Sequence, residues 1–223
     1  YFQKRDLLAT FMAKWSMDYP GQSGHYHFSL LSSENDENEF FDSSRSNNMS
    51  EMQFRAVGGL VKYLPEFLAL IAPTINSYTR LVKGAWAPTA ATWGVENRTS
   101  SIRVIPGSSK SQRIECRVGG ADGNPYLVSS AILAAAFLGI EEKLDPGDPV
   151  AGNAYDIEDA LPSERRFAGN LKDSTDRLDK SIAARRLFGN EFVDHFVLSR
   201  RHEVAEYERS VNDWQLKRYF EII

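Results

Sequence analysis

Apolar residues recur at helical spacing from Met52 through Val57, Leu60, Val61, Leu64 and Leu68. The stretch opens on Ser50 with Gln53 three residues later, a capping-box pattern. The spacing predicts a helix that is kinked or divided at Pro65, whose ring removes a helical N–H. Asn124-Pro125 predicts a second helix start, because Asn caps well and Pro suits the first helical position. That helix runs to about Lys143, and its apolar and small residues go almost all round, which predicts a central, buried element. Pro146, Gly147 and Pro149 then break the chain. Charged, amphipathic helices are predicted over Ser174 to Phe188, closed by Gly189, and over Asn190 to about Ser210, with Phe192, Val193, Phe196 and Val197 as the buried stripe.

Period-two alternation marks strands at His25 to Leu30, Ser100 to Ile105 and Gln112 to Val118. Strands and helices do not alternate regularly, so a doubly wound parallel sheet is not indicated. The order predicts an α+β fold: a mixed or antiparallel sheet packed with helices, and a helical C-terminal tail. The stretch Ser32 to Ser50 is rich in Ser, Asn, Asp and Glu and reads as an exposed loop with Phe40 and Phe41 to bury.

Alternation also sorts the chemistry onto faces. On the Gln112 strand, Arg113, Glu115 and Arg117 share one face, and Ile114, Cys116 and Val118 the other. The apolar face must be core, which makes Cys116 an inert buried thiol. The polar face is either a surface ion-pair ladder, worth about 0–1 kcal/mol, or the floor of a cleft that binds an anion and a metal. On the first strand, His25, His27 and Ser29 face away from Tyr26, Phe28 and Leu30. Two histidines at i and i+2 suit metal or phosphate contacts, or are simply surface residues. Gly21 and Gly24 in the lead-in allow a ligand to approach the backbone closely. The third strand places Ile102 and Val104 in the core and Arg103 opposite.

The chain has 223 residues and a net charge of −4. The acidic balance argues against nucleic acid as a partner. No apolar run is long enough to span a membrane. The single cysteine has no internal partner and points to a reducing compartment, the cytoplasm. Against that acidic background, Arg80, Arg98, Arg103, Lys110, Arg113 and Arg117 crowd one stretch and suggest a cleft for a nucleotide phosphate. Pro106 to Ser111 lacks the spacing of a phosphate-binding loop, so phosphates would be held by side chains and a metal. The glycosylation-like triplets at Asn48 and Asn97 have no secretory context, and His195 and His202 sit on charged helical stretches as solvated or partly packed residues.

At this point the motifs become recognisable in order. Phe11-Met12-Ala13-Lys14, the run Gly21 to Leu30, Asn76 to Val82, Asn97-Arg98 through Arg103, Arg113 to Arg117, and Asn124 to Leu127 follow one another at characteristic spacing. The set resembles the C-terminal catalytic half of glutamine synthetases, and the tail around Asp213 to Tyr219 resembles them as well. The resemblance implies an ATP-dependent ligase that phosphorylates the side-chain carboxylate of L-glutamate and lets ammonia displace the phosphate to give glutamine, with Mg2+ or Mn2+ as cofactor. It implies His25 and Glu115 as metal ligands, and His27, Ser29, Arg98, Arg103 and Lys110 on the ATP side, with Arg98 acting catalytically on the phosphoryl group in transfer. Gly21, Arg80 and Arg117 would hold glutamate. It further implies residues 1–150 as the core of the catalytic domain and 151–223 as its helical C-terminal part. An N-terminal β-grasp domain would lie outside this chain, and the assembly would be a homo-oligomer, a dodecamer of two hexameric rings with active sites between subunits. Tyr1-Phe2-Gln3, without an initiating Met, reads as a cut or the edge of an unseen N-terminal portion, and the chain alone is expected to be inactive.

Three positions depart from the pattern. Trp86 stands where ammonia-using members carry a glutamate, so an organic amine (polyamine, ethanolamine or methylamine) is a competing acceptor. An indole can bound an alkyl amine or attract its charge by about 0.5–2 kcal/mol. Pro20 replaces an expected Asn beside the glutamate site. Tyr155 lines up with the tyrosine adenylylated in some bacterial members, but its flanking residues differ. A non-catalytic relative is the remaining alternative, and the presence of His25, Arg98, Glu115 and Arg117 argues against it.

Overall fold

The computed structural model describes residues 1–222. Strands β1 (Tyr26–Phe28), β2 (Trp93–Val95), β3 (Ile102–Ile105) and β4 (Arg113–Cys116) form one sheet in the order β1-β4-β3-β2. The β1–β4 and β3–β4 pairs are antiparallel and β2–β3 is parallel, so the sheet is mixed, in keeping with the α+β expectation. Register carries the face assignments across the sheet. Tyr26, Cys116, Ile102 and Trp93 form one cross-strand row, and Phe28, Ile114, Val104 and Val95 another. Ile102, Val104, Ile114 and Cys116 are fully buried. Burial pushes the Cys116 thiol up to about 12, so it is protonated and unreactive at neutral pH. The β2 strand escapes sequence detection because Gly94 at its centre leaves no side-chain alternation to read.

The sheet rests on helix α1 (Glu51–Ile71), and α1 in turn rests on α3 (Pro125–Glu141). Ser50 Oγ accepts from Gln53 N at 3.1 Å, as expected of the cap. The reciprocal half of the capping box is absent, because the buried Gln53 side chain turns inward and accepts from Gln112 Nε2 at 2.6 Å. Pro65 does not divide the helix, which runs unbroken for 21 residues. Leu64, Phe67 and Leu68 around it are fully buried, and their packing outweighs the roughly 3 kcal/mol that an internal proline costs.

Helix α3 differs from its sequence expectation. Val128, Ala131, Ile132, Ala135 and Leu138 face the core, but Tyr126, Leu133 and Phe137 are exposed, so the helix is buried on one side rather than all round. Among the described residues no element covers that outer side.

The stretch predicted as one helix from Ser174 is two: α4 (Leu171–Lys180) and α5 (Ile182–Phe188). Ser181 leaves helical geometry and caps α5, its Oγ accepting from Ala184 N at 3.0 Å. Helix α6 (Asn190–Glu208) packs on α4 and α5, and α7 (Asp213–Tyr219) follows. The short α2 (Ile75–Arg80) is a six-residue helix closed at its start by a Thr74–Ser77 capping box. In the Ser32–Ser50 loop Phe40 is fully buried and Phe41 only partly. Among the described residues no helix is long and apolar enough to cross a membrane.

Candidate active site

The polar face of the sheet carries a second cross-strand row: His27 pairs with Glu115, and Glu115 with Arg103. Antiparallel pairing brings these side chains side by side, because directly opposed residues project to the same face. Glu115 sits at the centre. His25 Nδ1 lies 3.0 Å and His27 Nε2 3.5 Å from its Oε1. Arg117 Nη1 donates to the same oxygen at 2.8 Å, and Arg103 Nη1 donates to Oε2 at 3.1 Å. The Glu115 side chain is only 4% exposed, so the surface-ladder alternative is excluded. Arg113, at the strand's start, points its Nε to His27 Nδ1 at 3.3 Å.

The remaining expected residues lie outside this cluster. Arg80 is buried below it, where Nη1 donates to Val118 O at 2.7 Å and Nη2 to Ser23 Oγ at 3.1 Å and Arg117 O at 3.4 Å. Gly21 lies against Arg80: a Cβ there would stand 2.6 Å from Ala13 O and 2.7 Å from Arg80 Cγ, so only glycine fits without displacement. Ser29, Arg98 and Lys110 are exposed, and their side chains make no hydrogen bond to the described residues. Trp86 is 68% exposed, in a loop where its own backbone is left-handed (φ 58°). The cluster thus joins His25, His27, Arg103, Glu115 and Arg117 directly. Ser29, Arg98, Lys110 and Trp86 stand apart from it.

Glu96 was not anticipated. It follows β2 with a left-handed backbone (φ 53°), and its carboxylate accepts from Nε and Nη2 of Arg103. Arg103 is therefore shared between two carboxylates. The signal was weak in sequence, since an acidic residue after a short, unrecognised strand has no face assignment.

Electrostatics follow from this crowding. Burial is the largest influence on Glu115 and would raise its pKa. The Arg117 charge, the Arg103 hydrogen bond and the two histidines together outweigh it and hold the carboxyl below its ordinary value. Burial, reinforced by Arg117, holds the His25 imidazole below its ordinary value against the opposing pull of Glu115. Both groups bind protons less readily folded than unfolded, so stability falls as pH falls. The His25 contribution is full above pH 6.5 and is lost as pH drops through its lower folded value. The Glu115 contribution is full above pH 4.5 and is lost further into the acid range. In metal-free buffer the thermal midpoint is expected to start falling just below pH 6.5 and to fall again below pH 4.5. His25→Gln is expected to remove the first decline and spare the second. A first decline that persists in that variant assigns it to another group.

A neutral imidazole and an ionised carboxylate are the donor states a hard divalent cation requires. His25 Nδ1 and Glu115 Oε1, 3.0 Å apart, are the pair that could hold such an ion. The described residues hold no group of three or more His, Cys, Asp or Glu side chains arranged for a metal.

Comparison with known proteins bears on the same stretch. The sequence profile of the family described as glutamine synthetase, catalytic domain, matches residues 2–219. Type-1 glutamine synthetase 2 of Dictyostelium discoideum is 45% identical over 218 residues, covering 97% of this chain and 42% of that protein. Glutamate–isopropylamine ligase of Pseudomonas sp is 39% identical over 220 residues, covering 99% of this chain and 47% of that protein. The ligand-free structure of GmaS superposes with a TM-score of 0.86 at 29% identity, covering 99% of this chain and 50% of that one. The chain spans about half the length of the curated relatives it matches. By profile, sequence and fold together, the chain belongs to the glutamine synthetase catalytic-domain family.

Proposed function

We propose that the full-length protein is an ATP-dependent ligase joining L-glutamate through its side-chain carboxylate to an amine. The observation that carries this reading is Glu115, ionised, buried and ringed by His25, His27, Arg103 and Arg117. In the reaction a γ-carboxylate oxygen of glutamate attacks the terminal phosphorus of ATP, the bond to the bridging oxygen breaks, and ADP departs. The amine lone pair then attacks the acyl carbon, inorganic phosphate leaves, and the surplus amine proton passes to that phosphate. Almost all of the catalysis is positioning and charge stabilisation, which side chains of these types can supply.

His25 and Glu115 would hold Mg2+ or Mn2+, which when bound neutralises charge on the phosphoryl oxygens. Arg103 and His27, beside them, would orient the nucleotide phosphates together with Ser29 and Lys110. The exposed Arg98, with no partner for its side chain in the described residues, is suited to meet the phosphoryl group in transfer. Arg117 and Gly21 would hold glutamate. Arg80 would hold glutamate with them, and its guanidinium also fixes the chain by donating to Val118 O, Ser23 Oγ and Arg117 O. The assembly would be a homo-oligomer in the cytoplasm, and the chain alone would lack the remaining metal ligands and activity.

Trp86 favours an organic amine as acceptor, because an indole cannot take a proton from ammonium but can bound an alkyl chain. Relatives named glutamate–isopropylamine ligase and gamma-glutamylethanolamide synthetase keep company with ones named glutamine synthetase, which sustains ammonia as the second reading. An acceptor screen with the full-length enzyme, ATP, Mg2+ and glutamate tests both. Amide formation with small alkyl amines well above that with ammonia is expected. Full turnover with ammonia and none with methylamine, ethanolamine or putrescine would reject the amine acceptor, and no glutamate-dependent ADP release with any acceptor would reject the ligase reading.

A further inference from the structure

The loop that follows β4 has one side chain with which to anchor itself. Gly119, Gly120, Ala121 and Gly123 offer nothing beyond a methyl group, and glycines leave a chain conformationally free. Asp122 supplies the anchor. Its Oδ2 accepts from Thr74 Oγ1 at 2.7 Å and from Ser77 Oγ at 2.5 Å. Those two hydroxyls form the capping box of α2, where Thr74 Oγ1 accepts from Ser77 N at 3.0 Å and Ser77 Oγ from Thr74 N at 3.1 Å. Each hydroxyl has one proton to give. With both protons on Asp122, both oxygens face the backbone N–H groups as acceptors. The carboxylate thus sets the cap of a helix too short to be stable alone.

Helix α2 in turn grips the segments around the candidate glutamate residues. Asn76 bonds the Lys14 backbone in both directions, accepting from its N at 2.9 Å and donating to its O at 2.7 Å. Arg80, at the other end, donates to Ser23 Oγ, Val118 O and Arg117 O. The gripped segments are also tied to one another. Gln22 N donates to Ala13 O at 2.7 Å, Gly24 N to Gly119 O at 2.9 Å and Ala121 N to Gln22 O at 3.2 Å. The Asp122 carboxylate has room only because Gly120 lacks a side chain. A Cβ there would stand 2.5 Å from Oδ1, which is sealed from solvent and has no hydrogen-bond partner of its own.

We propose that Asp122 is a positioning residue for glutamate binding: through the Thr74–Ser77 cap it sets where α2 holds the Gly21 segment, Arg80 and the Arg117 backbone. It touches no substrate itself. This assignment rests on the ligase reading above. Among the described residues, the side chains of His27, Ser29, Arg98, Arg103 and Lys110 make no hydrogen bond to α2 or to Asp122. The effect of Asp122 therefore falls on glutamate and spares the nucleotide.

Asp122→Ala and Gly120→Ala in the full-length enzyme test it, singly and combined. Each variant is titrated with glutamate and with a non-hydrolysable ATP analogue in Mg2+ buffer, well below its own thermal midpoint. Asp122→Ala removes the acceptor of two hydrogen bonds to a charged group, and glutamate binding is expected to weaken about tenfold or more. The KM for glutamate rises in parallel, and the affinity for the ATP analogue stays close to wild type. Gly120→Ala is expected to do the same, because its methyl group displaces Oδ1, and to add little once Asp122 is gone. Asp122→Asn keeps an acceptor oxygen for the two hydroxyls and is expected to recover most of the glutamate affinity. Unchanged glutamate affinity in Asp122→Ala overturns the assignment, and so does a parallel loss of nucleotide affinity, which marks a general structural role. Additive losses in the double variant, or Asp122→Asn as weak as Asp122→Ala, overturn it too. Should Asp122→Ala fail to fold, Gly120→Ala alone decides between selective and general loss. Wild-type protein that binds no glutamate overturns the ligase reading itself and this assignment with it.

Discussion

Glu115→Ala is expected to lower amide formation by the full-length enzyme by a factor of about a hundred to a thousand, and to abolish Mn2+ binding that depends on this carboxylate. The reason is position. Glu115 is the one carboxylate that His25, His27, Arg103 and Arg117 all approach, and it is nearly inaccessible to water. Removing it leaves two guanidiniums facing each other across a cavity. Truncating one partner of a buried ion pair costs about 3–5 kcal/mol. The lower end is expected here, because Arg103 keeps Glu96 as a second partner. Glu115→Gln separates the two consequences. It retains shape and one acceptor oxygen, so it should recover much of the stability and little of the metal affinity. Urea unfolding in metal-free buffer and a Mn2+ titration followed by paramagnetic relaxation supply the readings. Wild-type metal affinity in Glu115→Gln would remove Glu115 from the ligand set.

The second large effect lies far from the chemistry. Gly59→Val is expected to destabilise the protein by about 3 kcal/mol or more, lowering its thermal midpoint by roughly 6–12 °C. Helices α1 and α3 cross at Gly59 and Gly139 with no side chain between them. A Cβ on Gly59 would lie 2.6 Å from Gly139 N and 2.7 Å from Gly139 Cα, and would also strike Ala135 O. These are backbone atoms, which cannot rotate away. The crossing must open, and with it the packing of the fully buried Ala56, Leu60 and Ala135. Gly169→Ala is the control: nothing lies within 4 Å of its Cβ, so a change within about 0.5 kcal/mol is expected. Equal midpoints for the two variants would show that α1 and α3 do not approach this closely in solution.

The contrast between those two positions shows where local pattern suffices. The strand at Arg113 could be read correctly because alternation is a local rule: Ile114 and Cys116 must go one way if Arg113 and Glu115 go the other. The same rule placed His25 and His27 on a polar face and Ile102 and Val104 in the core. Caps were legible for a similar reason, since Ser50 and Asn124 bond to N–H groups two or three residues away. The undivided passage of the helix through Pro65 and the break at Ser181 were not legible, because each outcome depends on burial. Leu64 and Phe67 hold the helix together through the proline, while Ser181 is drawn out of the helix, its hydroxyl donating to the Glu66 carboxylate of α1 and accepting from Ala184 N.

What the amino-acid sequence determined by itself was therefore the class of the fold, the faces of β1, β3 and β4 and the family whose motifs it carries, because periodicity and motif order are properties of neighbouring residues. It also supplied the residues of the candidate site, but not their arrangement. Only the tertiary structure decided that Glu115 stands between His27 and Arg103 in one cross-strand row, since that follows from the β1-β4-β3 order and its register. It alone brought Glu96 onto Arg103 and turned Arg80 toward the carbonyls of Arg117 and Val118. These contacts join residues that are distant along the chain, and their geometry depends on how sheet, helices and loops pack, which no local pattern encodes.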